Sequence, residues 1–129
     1  MRYLPRVLLL AALAAPACDK SDPAPAAGSF ATQSTGTSVS FELTPRAADA
    51  GRLAIALRAN THSGDLAEID LAKAMRLHVG GESFAPVEAP SLSGHHDGGS
   101  VVFEPGSAPA HFDVTISGVR GMPELRLSW

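Results

Sequence analysis

Residues 52–60 read RLAIALRAN, and apolar side chains occupy every second position of this stretch. The alternating set is Leu53, Ile55, Leu57 and Ala59. In an extended chain these side chains share one face, whereas a buried helix face needs apolar residues three or four positions apart. The stretch therefore predicts a β-strand with one face in a hydrophobic core.

The same period of two recurs in six further segments on both sides of this strand. Their apolar residues are Val39, Phe41 and Leu43; Met75, Leu77 and Val79; Phe84 and Val87; Val101 and Phe103; Phe112, Val114 and Ile116; and Leu125, Leu127 and Trp129. Turn-forming stretches such as AADAG at 47–51 and EPGSAP at 104–109 separate the segments. Seven short alternating segments predict an all-β fold, an immunoglobulin-like antiparallel β-sandwich of about seven strands.

One segment has helical rather than alternating periodicity. Residues 63–75 read SGDLAEIDLAKAM, which places Leu66, Ile69 and Lys73 at helical spacing. Ser63 or Asp65 is available as an N-cap at its start. The segment predicts one short helical crossover between strands, a connection that sandwiches commonly accept.

The amino terminus carries an export signal. Residues 1–18 read MRYLPRVLLLAALAAPAC, with two early arginines, a short apolar run and small residues before Cys18. A charged start, a short apolar stretch and a small-residue cleavage region are typical of a secretory signal peptide, and the run is too short to span a bilayer. Residues 1–17 are therefore predicted to be a lipoprotein signal peptide.

Cys18 is the only cysteine of the chain, so it has no partner for an intramolecular disulfide. The small residues Ala15, Pro16 and Ala17 before it resemble a bacterial lipobox, which implies cleavage before Cys18 and lipid attachment to it. The alternative is an ordinary signal peptide cut near Ala17 that leaves a free thiol. The lipobox resemblance predicts a protein of the bacterial cell envelope, anchored in the membrane through Cys18 and facing the periplasm or the exterior.

Residues 18–36 are rich in proline, alanine, glycine and hydroxyl side chains, so they predict a flexible lipid-anchored tether, followed by a β-sandwich domain at 37–129. Thirteen acidic residues outnumber ten basic ones, of which Arg2 and Arg6 belong to the leader. Aromatic residues make up only 5% of the chain. This acidic composition argues against nucleic acid, which requires basic surfaces and aromatic stacking platforms.

Three histidines fall in polar, glycine-containing stretches between predicted strands. His95 and His96 lie in SGHHDGGS at 93–100, and His62 follows the strand RLAIALRAN. If the two loops meet at one end of the sandwich, the three imidazoles form a set that Asp65 or Asp97 completes, and imidazole ligands suit copper or zinc. The alternative is a polar cluster in which the same residues only stabilise loops.

Nothing in the sequence favours catalysis. His62, Ser63 and Asp65 are neighbours in one turn, and a catalytic triad requires the histidine to bridge nucleophile and acid in space. Hydrogen bonding between side chains and the backbone of the turn is the simpler interpretation of Thr61, Ser63 and Asp65. The protein is therefore predicted not to be an enzyme.

Three segments resemble an uncharacterised family of small exported β-sandwich domains. Thr61, His62, Ser63, Asp65 and Leu66 match a T-H-S-x-D-L segment, Gly94, His95 and His96 match a G-H-H segment, and Trp129 matches a terminal aromatic strand. The resemblance covers about 38–129, and it implies that the three histidines belong together. The chain departs from the family before Gly94, where relatives tend to carry a tryptophan.

Two functions follow from these observations. The first is a membrane-tethered envelope lipoprotein that binds copper or zinc through His62, His95 and His96 with Asp65. The second is a non-catalytic module, either structural or binding an envelope protein partner, in which the histidines only stabilise loops.

Overall fold

The alternating segments form the strands of two antiparallel sheets in the computed structural model, which describes residues 30–129. The first sheet has the order β1 (Gln33–Gly36), β2 (Val39–Ala48), β3 (Arg52–Thr61) and β6 (His96–Phe103). The second has the order β5 (Glu82–Phe84), β4 (Met75–Val79), β7 (Asp113–Ile116) and β8 (Leu125–Ser128). The predicted all-β sandwich is confirmed.

The strand order is that of an immunoglobulin-like sandwich. Strands β2, β3 and β6 take the places of A, B and E in one sheet, and β4, β7 and β8 take the places of C, F and G in the other. Strand β1 is added outside β2, and β5 outside β4. The described part of the chain therefore has eight strands rather than about seven.

A single hydrophobic core fills the space between the sheets. The inward positions of β2, β3 and β6 face those of β4 and β7, and the largest fully buried side chains are Phe41, Phe103, Leu43, Leu53, Ile55, Leu57, Leu66, Leu71, Met75, Leu77, Ile116 and Val101. Most belong to the alternating set that the sequence identifies. Among the residues of the alternating set, Val87 is instead 49% exposed, because it follows the short strand β5 in an irregular segment.

The predicted crossover between the sheets is helical, in two short pieces. A 3₁₀ turn spans Leu66–Glu68, and one turn of α-helix, α1, spans Leu71–Ala74. Asp65, not Ser63, caps the first piece, and Asp70 caps the second. Another 3₁₀ turn, Asp49–Gly51, connects β2 to β3.

The sandwich has two ends, which lie opposite each other along the strands. The loop pole consists of the β1–β2 turn at 37–38, the β3–β4 connection at 62–70, residues 93–95 before β6 and the β7–β8 connection at 117–124. The entry pole consists of the turns at 49–51 and 80–81 and the β6–β7 connection at 104–112. Phe30 lies at the entry pole, where its ring contacts Phe112 edge to face, with centroids 5.0 Å apart.

The structure corrects the predicted boundary between tether and domain. Residues 30–36, predicted as tether, belong to the sandwich because β1 pairs with β2 and Phe30 packs against the core. Trp129 stacks on Phe112 at 5.4 Å, and its indole N–H donates a 2.7 Å hydrogen bond to the carbonyl of Ala31. Contacts with the carboxyl-terminal strand therefore hold the beginning of the domain in place.

The predicted signal peptide at 1–17, the lipid attachment at Cys18 and the first part of the tether lie outside the described residues. Within residues 30–129, no helix has the length and apolar character that crossing a bilayer requires.

Candidate functional site

The two histidine-bearing segments meet at the loop pole, as the metal-site hypothesis requires. The amide of Thr61 donates a 2.8 Å hydrogen bond to the carbonyl of His95, which extends the β3–β6 ladder beyond β6. One turn further on, the amide of Leu66 donates to the carbonyl of Gly94 at 2.9 Å. His62 and His95 are exposed beside this junction.

Asp65 connects the two segments through its carboxylate. Its Oδ1 accepts hydrogen bonds from the amide of Ala67 at 2.8 Å and from the amide of Gly94 at 2.9 Å. The first bond caps the 3₁₀ turn, and the second joins this turn to the start of β6. The carboxylate that was predicted to bind a metal therefore accepts hydrogen bonds from two backbone amides.

His96 lies in strand β6 rather than in a flexible loop, which corrects the interpretation of SGHHDGGS. It pairs with Asn60 across the ladder, and its Nδ1 lies 2.7 Å from the side-chain oxygen of Asn60. His95 precedes the strand in a bend at 94–95, where Gly94 has a positive φ of 69°. Gly98 and Gly99 are extended within β6.

The predicted ligand set is not assembled in the described part of the chain. Within residues 30–129, no three or more His, Cys, Asp or Glu side chains are grouped in a way that would hold a metal ion. Two members of the set are engaged elsewhere, since Asp65 accepts from backbone amides and His96 is hydrogen-bonded to Asn60. His62 and His95 are the members of the set that make no side-chain hydrogen bond within 30–129.

The hydroxyl residues of the same turn shape the backbone. The Oγ1 of Thr61 donates to the carbonyl of Ser63 at 2.6 Å, and the amide of Ser63 lies 3.3 Å from that Oγ1. Thr61 is only 4% exposed, so these bonds satisfy a buried hydroxyl. The expected hydrogen bonding between side chain and backbone is found here.

Asp97 closes the turn before β6 in a similar way. Its carboxylate accepts hydrogen bonds from the amide of Gly98 at 2.7 Å and from the amide of Ser93 at 2.9 Å. These backbone donors stabilise the charged form and lower the pKa of Asp97 below its ordinary value.

A cleft of about 420 Å³ opens between the connections of the loop pole. Its apolar lining comes from Val39, Leu66, Ile69 and Val119, and hydroxyl groups of Ser38 and Ser63 also border it. Both sheets therefore contribute to the cleft. Residues at the ends of β2 and β3 line one side, and residues of the β7–β8 connection line the other.

Three charged residues border this cleft. Asp65 already accepts hydrogen bonds from two backbone amides, and the other two carry opposite charges and come from different connections. Glu68 belongs to the β3–β4 connection and Arg120 to the β7–β8 connection. Both side chains are exposed, and neither forms an ion pair within residues 30–129. Sequence reasoning missed Arg120, for which the only signal is its place in the glycine-bounded stretch GVRG at 118–121.

A second polar cluster lies on the outer face of the other sheet. The ring of His78 contacts Thr115 through Nε2 at 2.9 Å and Ser83 through Nδ1 at 2.8 Å, which joins β4, β5 and β7. Next to it, hydrogen bonding from Ser128 and the guanidinium of Arg126 lower the pKa of Asp113. Because each of these polar groups has a partner within the sheet, the cluster stabilises strand pairing.

Fold and site together define an immunoglobulin-like β-sandwich with a charged cleft among the loops of one end. No family model matches this chain, and none of the curated proteins or solved structures does. The resemblance to small exported domains with T-H-S-x-D-L and G-H-H segments stays a prediction.

Proposed function

We propose that the protein is a non-catalytic binding module of the bacterial envelope, anchored through lipid on Cys18, whose loop-pole cleft contacts a peptide or protein partner. The observation that carries this proposal is the cleft itself. It combines apolar side chains with Glu68 and Arg120, opposite charges that form no ion pair within residues 30–129, while the third charged residue, Asp65, is hydrogen-bonded to backbone amides.

The scaffold supports this use of the loop pole. The β3–β4 and β7–β8 connections occupy the places of the B–C and F–G loops, which carry binding residues in immunoglobulin variable domains. Loops held by a rigid sandwich are a common location for recognition. Here the carboxylate of Asp65 further orders the pole by joining 65–67 to Gly94.

The hydrogen bonding at the pole supports a non-catalytic role. Thr61 and Asp65, the most obvious reactive candidates of the turn, are engaged with backbone groups. A nucleophile needs a general base within hydrogen-bond reach, and Ser63 has no side-chain hydrogen bond to a histidine within residues 30–129.

Site-specific photo-crosslinking in the bacterium that makes the protein tests the proposal. A photoreactive residue is placed at Ser63 or at the exposed Glu124 on the loop pole and, as a matched control, at Asp49 on the entry pole. We expect a discrete crosslinked species from both loop-pole positions and none from Asp49. Absence of adducts at the loop pole, or equal adducts at both poles, would refute a binding role for this end.

A transition-metal function is the second candidate, because the hydrogen bond between Thr61 and His95 brings two exposed imidazole-bearing residues to one junction. Copper(II) and zinc(II) are titrated into the full chain and into a His62→Ala, His95→Ala double variant, with a His96→Ala variant alongside. One equivalent bound by the wild type and lost in the double variant would favour metal handling. No binding heat in the wild type would eliminate it.

A further inference from the structure

The arrangement of charge in the loop-pole cleft specifies the chemistry of its occupant. Of the three charged residues that line it, Asp65 already accepts hydrogen bonds from two backbone amides. The other two are a carboxylate, Glu68, on one connection and a guanidinium, Arg120, on another. They form no ion pair with each other, so their charged groups are more than 4.0 Å apart and each remains available. Apolar side chains line the space beside them.

We propose that the cleft binds a short zwitterionic peptide. This inference rests on the proposed binding function and names its partner. The α-ammonium group of the peptide pairs with Glu68, its α-carboxylate pairs with Arg120, and its side chains pack against the partly exposed Val39 and Ile69.

Each contact matches the chemistry of the group that makes it. A guanidinium binds a carboxylate through two parallel hydrogen bonds, and an ammonium group donates charge-assisted hydrogen bonds to a carboxylate. The hydroxyl groups of Ser38 and Ser63 border the same space and suit the peptide group between the termini. The volume of about 420 Å³ falls within the range of roughly 300–1,000 Å³ that small-ligand sites occupy.

Size separates a short peptide from a folded protein as the occupant. Two or three extended residues span roughly 7–11 Å, so a short peptide brings both terminal charges into one small cleft. A folded partner can supply the same two charges from lysine and carboxylate side chains, but its interface covers roughly 800 Å² of each partner. A cleft of about 420 Å³ has room for only a few residues, so its size together with its charges favours a free peptide.

Calorimetric titration of the full chain in detergent with Ala-Ala, Leu-Leu and Phe-Phe tests the inference. Each dipeptide is compared with its N-acetyl form, which lacks the ammonium group, and with its C-terminal amide, which lacks the carboxylate. We expect at least one dipeptide to bind with one-to-one stoichiometry and each blocked form to bind roughly tenfold more weakly, since a charge-assisted contact is lost.

Variants of the protein assign each charge to its residue. Glu68→Gln should weaken binding of the free dipeptide and abolish the loss of affinity caused by N-acetylation. Arg120→Gln should abolish the loss of affinity caused by C-terminal amidation. Asp70→Asn is the matched control, because it changes an acid of the same connection that does not border the cleft. Thermal melts of all three variants show that the fold persists, as expected for exposed side chains.

Two results would overturn the inference. One is the absence of binding by all three dipeptides at millimolar concentration. The other is a dipeptide affinity that stays the same when the termini are blocked and when Glu68 or Arg120 is replaced by Gln. Crosslinks from Ser63 and Glu124 together with either result would leave the binding module intact and refute only the peptide assignment. The absence of both crosslinks and dipeptide binding would refute both proposals.

Discussion

At the scale of single residues, the acidic side chains near the histidines accept hydrogen bonds from backbone amides. Asp65 and Asp97 each accept hydrogen bonds from two backbone amides, and both sit where a turn meets β3 or β6. A turn leaves amides without strand partners, and a short carboxylate placed beside them satisfies these donors. Sequence alone recognises the residue types but not which nearby amides lack a partner.

Asp65 should contribute to stability through its acceptor oxygen rather than through its charge. Replacing Asp65 with Ala removes the cap of the 3₁₀ turn and the bond to Gly94, so we expect a loss of about 1–2 kcal/mol in the free energy of unfolding. Asp65→Asn keeps an acceptor at Oδ1 and should lose much less. Urea unfolding of both variants checks this, and equal losses would show that charge dominates.

Asp97 should make stability depend on acidic pH. Its pKa is lowered in the folded state, first by the amide of Gly98 and then by that of Ser93, so its contribution is present above the unfolded pKa of about 3.9. That contribution is lost as pH falls through the folded value. Asp97→Asn should therefore lower Tm near pH 7, and the difference from wild type should shrink as pH falls below about 4.

The control for Asp97 is Glu42→Gln, which changes an exposed acid on β2 that makes no side-chain hydrogen bond within residues 30–129. Thermal melts from pH 7 to pH 2.5 compare the three proteins. A gap between wild type and Asp97→Asn that stays constant over this range would contradict the role given to the charged form.

At the scale of elements, strands were predictable where one face meets the core. Strands β3 and β7 carry unbroken apolar alternation, and both were identified from sequence. Strand β1, with the sequence QSTG, has no apolar alternation, because it lies outside β2 at the edge of the sheet. Besides its hairpin pairing with β2, it is held by hydrogen bonds from Gln33 to Ser128 and from Trp129 to Ala31, and a local pattern does not reveal contacts between the two ends of the domain.

The start of β6 escaped recognition for a different reason. Its positions 97 and 99, which alternate with the buried Val101 and Phe103, hold Asp97 and Gly99 instead of apolar residues. A side chain at Gly99 would collide with the ring of Pro90, because a Cβ there would lie 2.8 Å from two ring carbons. The glycine therefore permits close packing of β6 against Pro90.

Trp129 should determine whether β1 stays attached to the sandwich. Its ring stacks on Phe112, and its N–H donates to Ala31 just before β1. We expect Trp129→Ala to cost about 2 kcal/mol, less than for a fully buried tryptophan, and to increase amide hydrogen exchange in β1 selectively. Trp129→Phe keeps the aromatic ring and loses the donor, so it should have an intermediate effect.

Hydrogen exchange of β3 provides the internal control for Trp129. If loss of the indole releases only β1, amides of β3 should retain wild-type protection, because β3 lies between β2 and β6. Unchanged protection of β1 in Trp129→Ala would show that pairing with β2 alone retains the strand.

At the scale of the whole molecule, the metal hypothesis assumed that two loops meet, and the structure shows that they do. The approach of 62–66 to 93–95 follows from the antiparallel pairing of β3 with β6, which the sequence pattern did not specify. The cleft also needs Arg120 from a connection more than fifty residues further along the chain. Only the packing of two sheets brings these segments to one pole, so no local sequence motif predicts the cleft.

The two poles also relate the cleft to the proposed membrane anchor. The described chain begins at the entry pole with Phe30, whereas the cleft lies at the loop pole. The ten residues of β3 span roughly 33 Å between these ends. If lipid is attached at Cys18, the domain is held from its entry pole, and the loop pole faces away from the membrane.

Energy transfer to a lipid acceptor should reveal this orientation. Cys18 is the only cysteine of the chain, so lipidation would leave an introduced Asp49→Cys or Ser63→Cys as the sole free thiol for a donor dye. Twelve residues from Cys18 to Phe30 reach at most roughly 40 Å, which keeps the domain near the bilayer. In vesicles with headgroup-bound acceptor, the dye at Asp49 should transfer more efficiently than the dye at Ser63, because its pole lies nearer the anchor. A Cys18→Ala version should show no transfer from either position, and equal or reversed efficiencies in the lipidated protein would contradict the orientation.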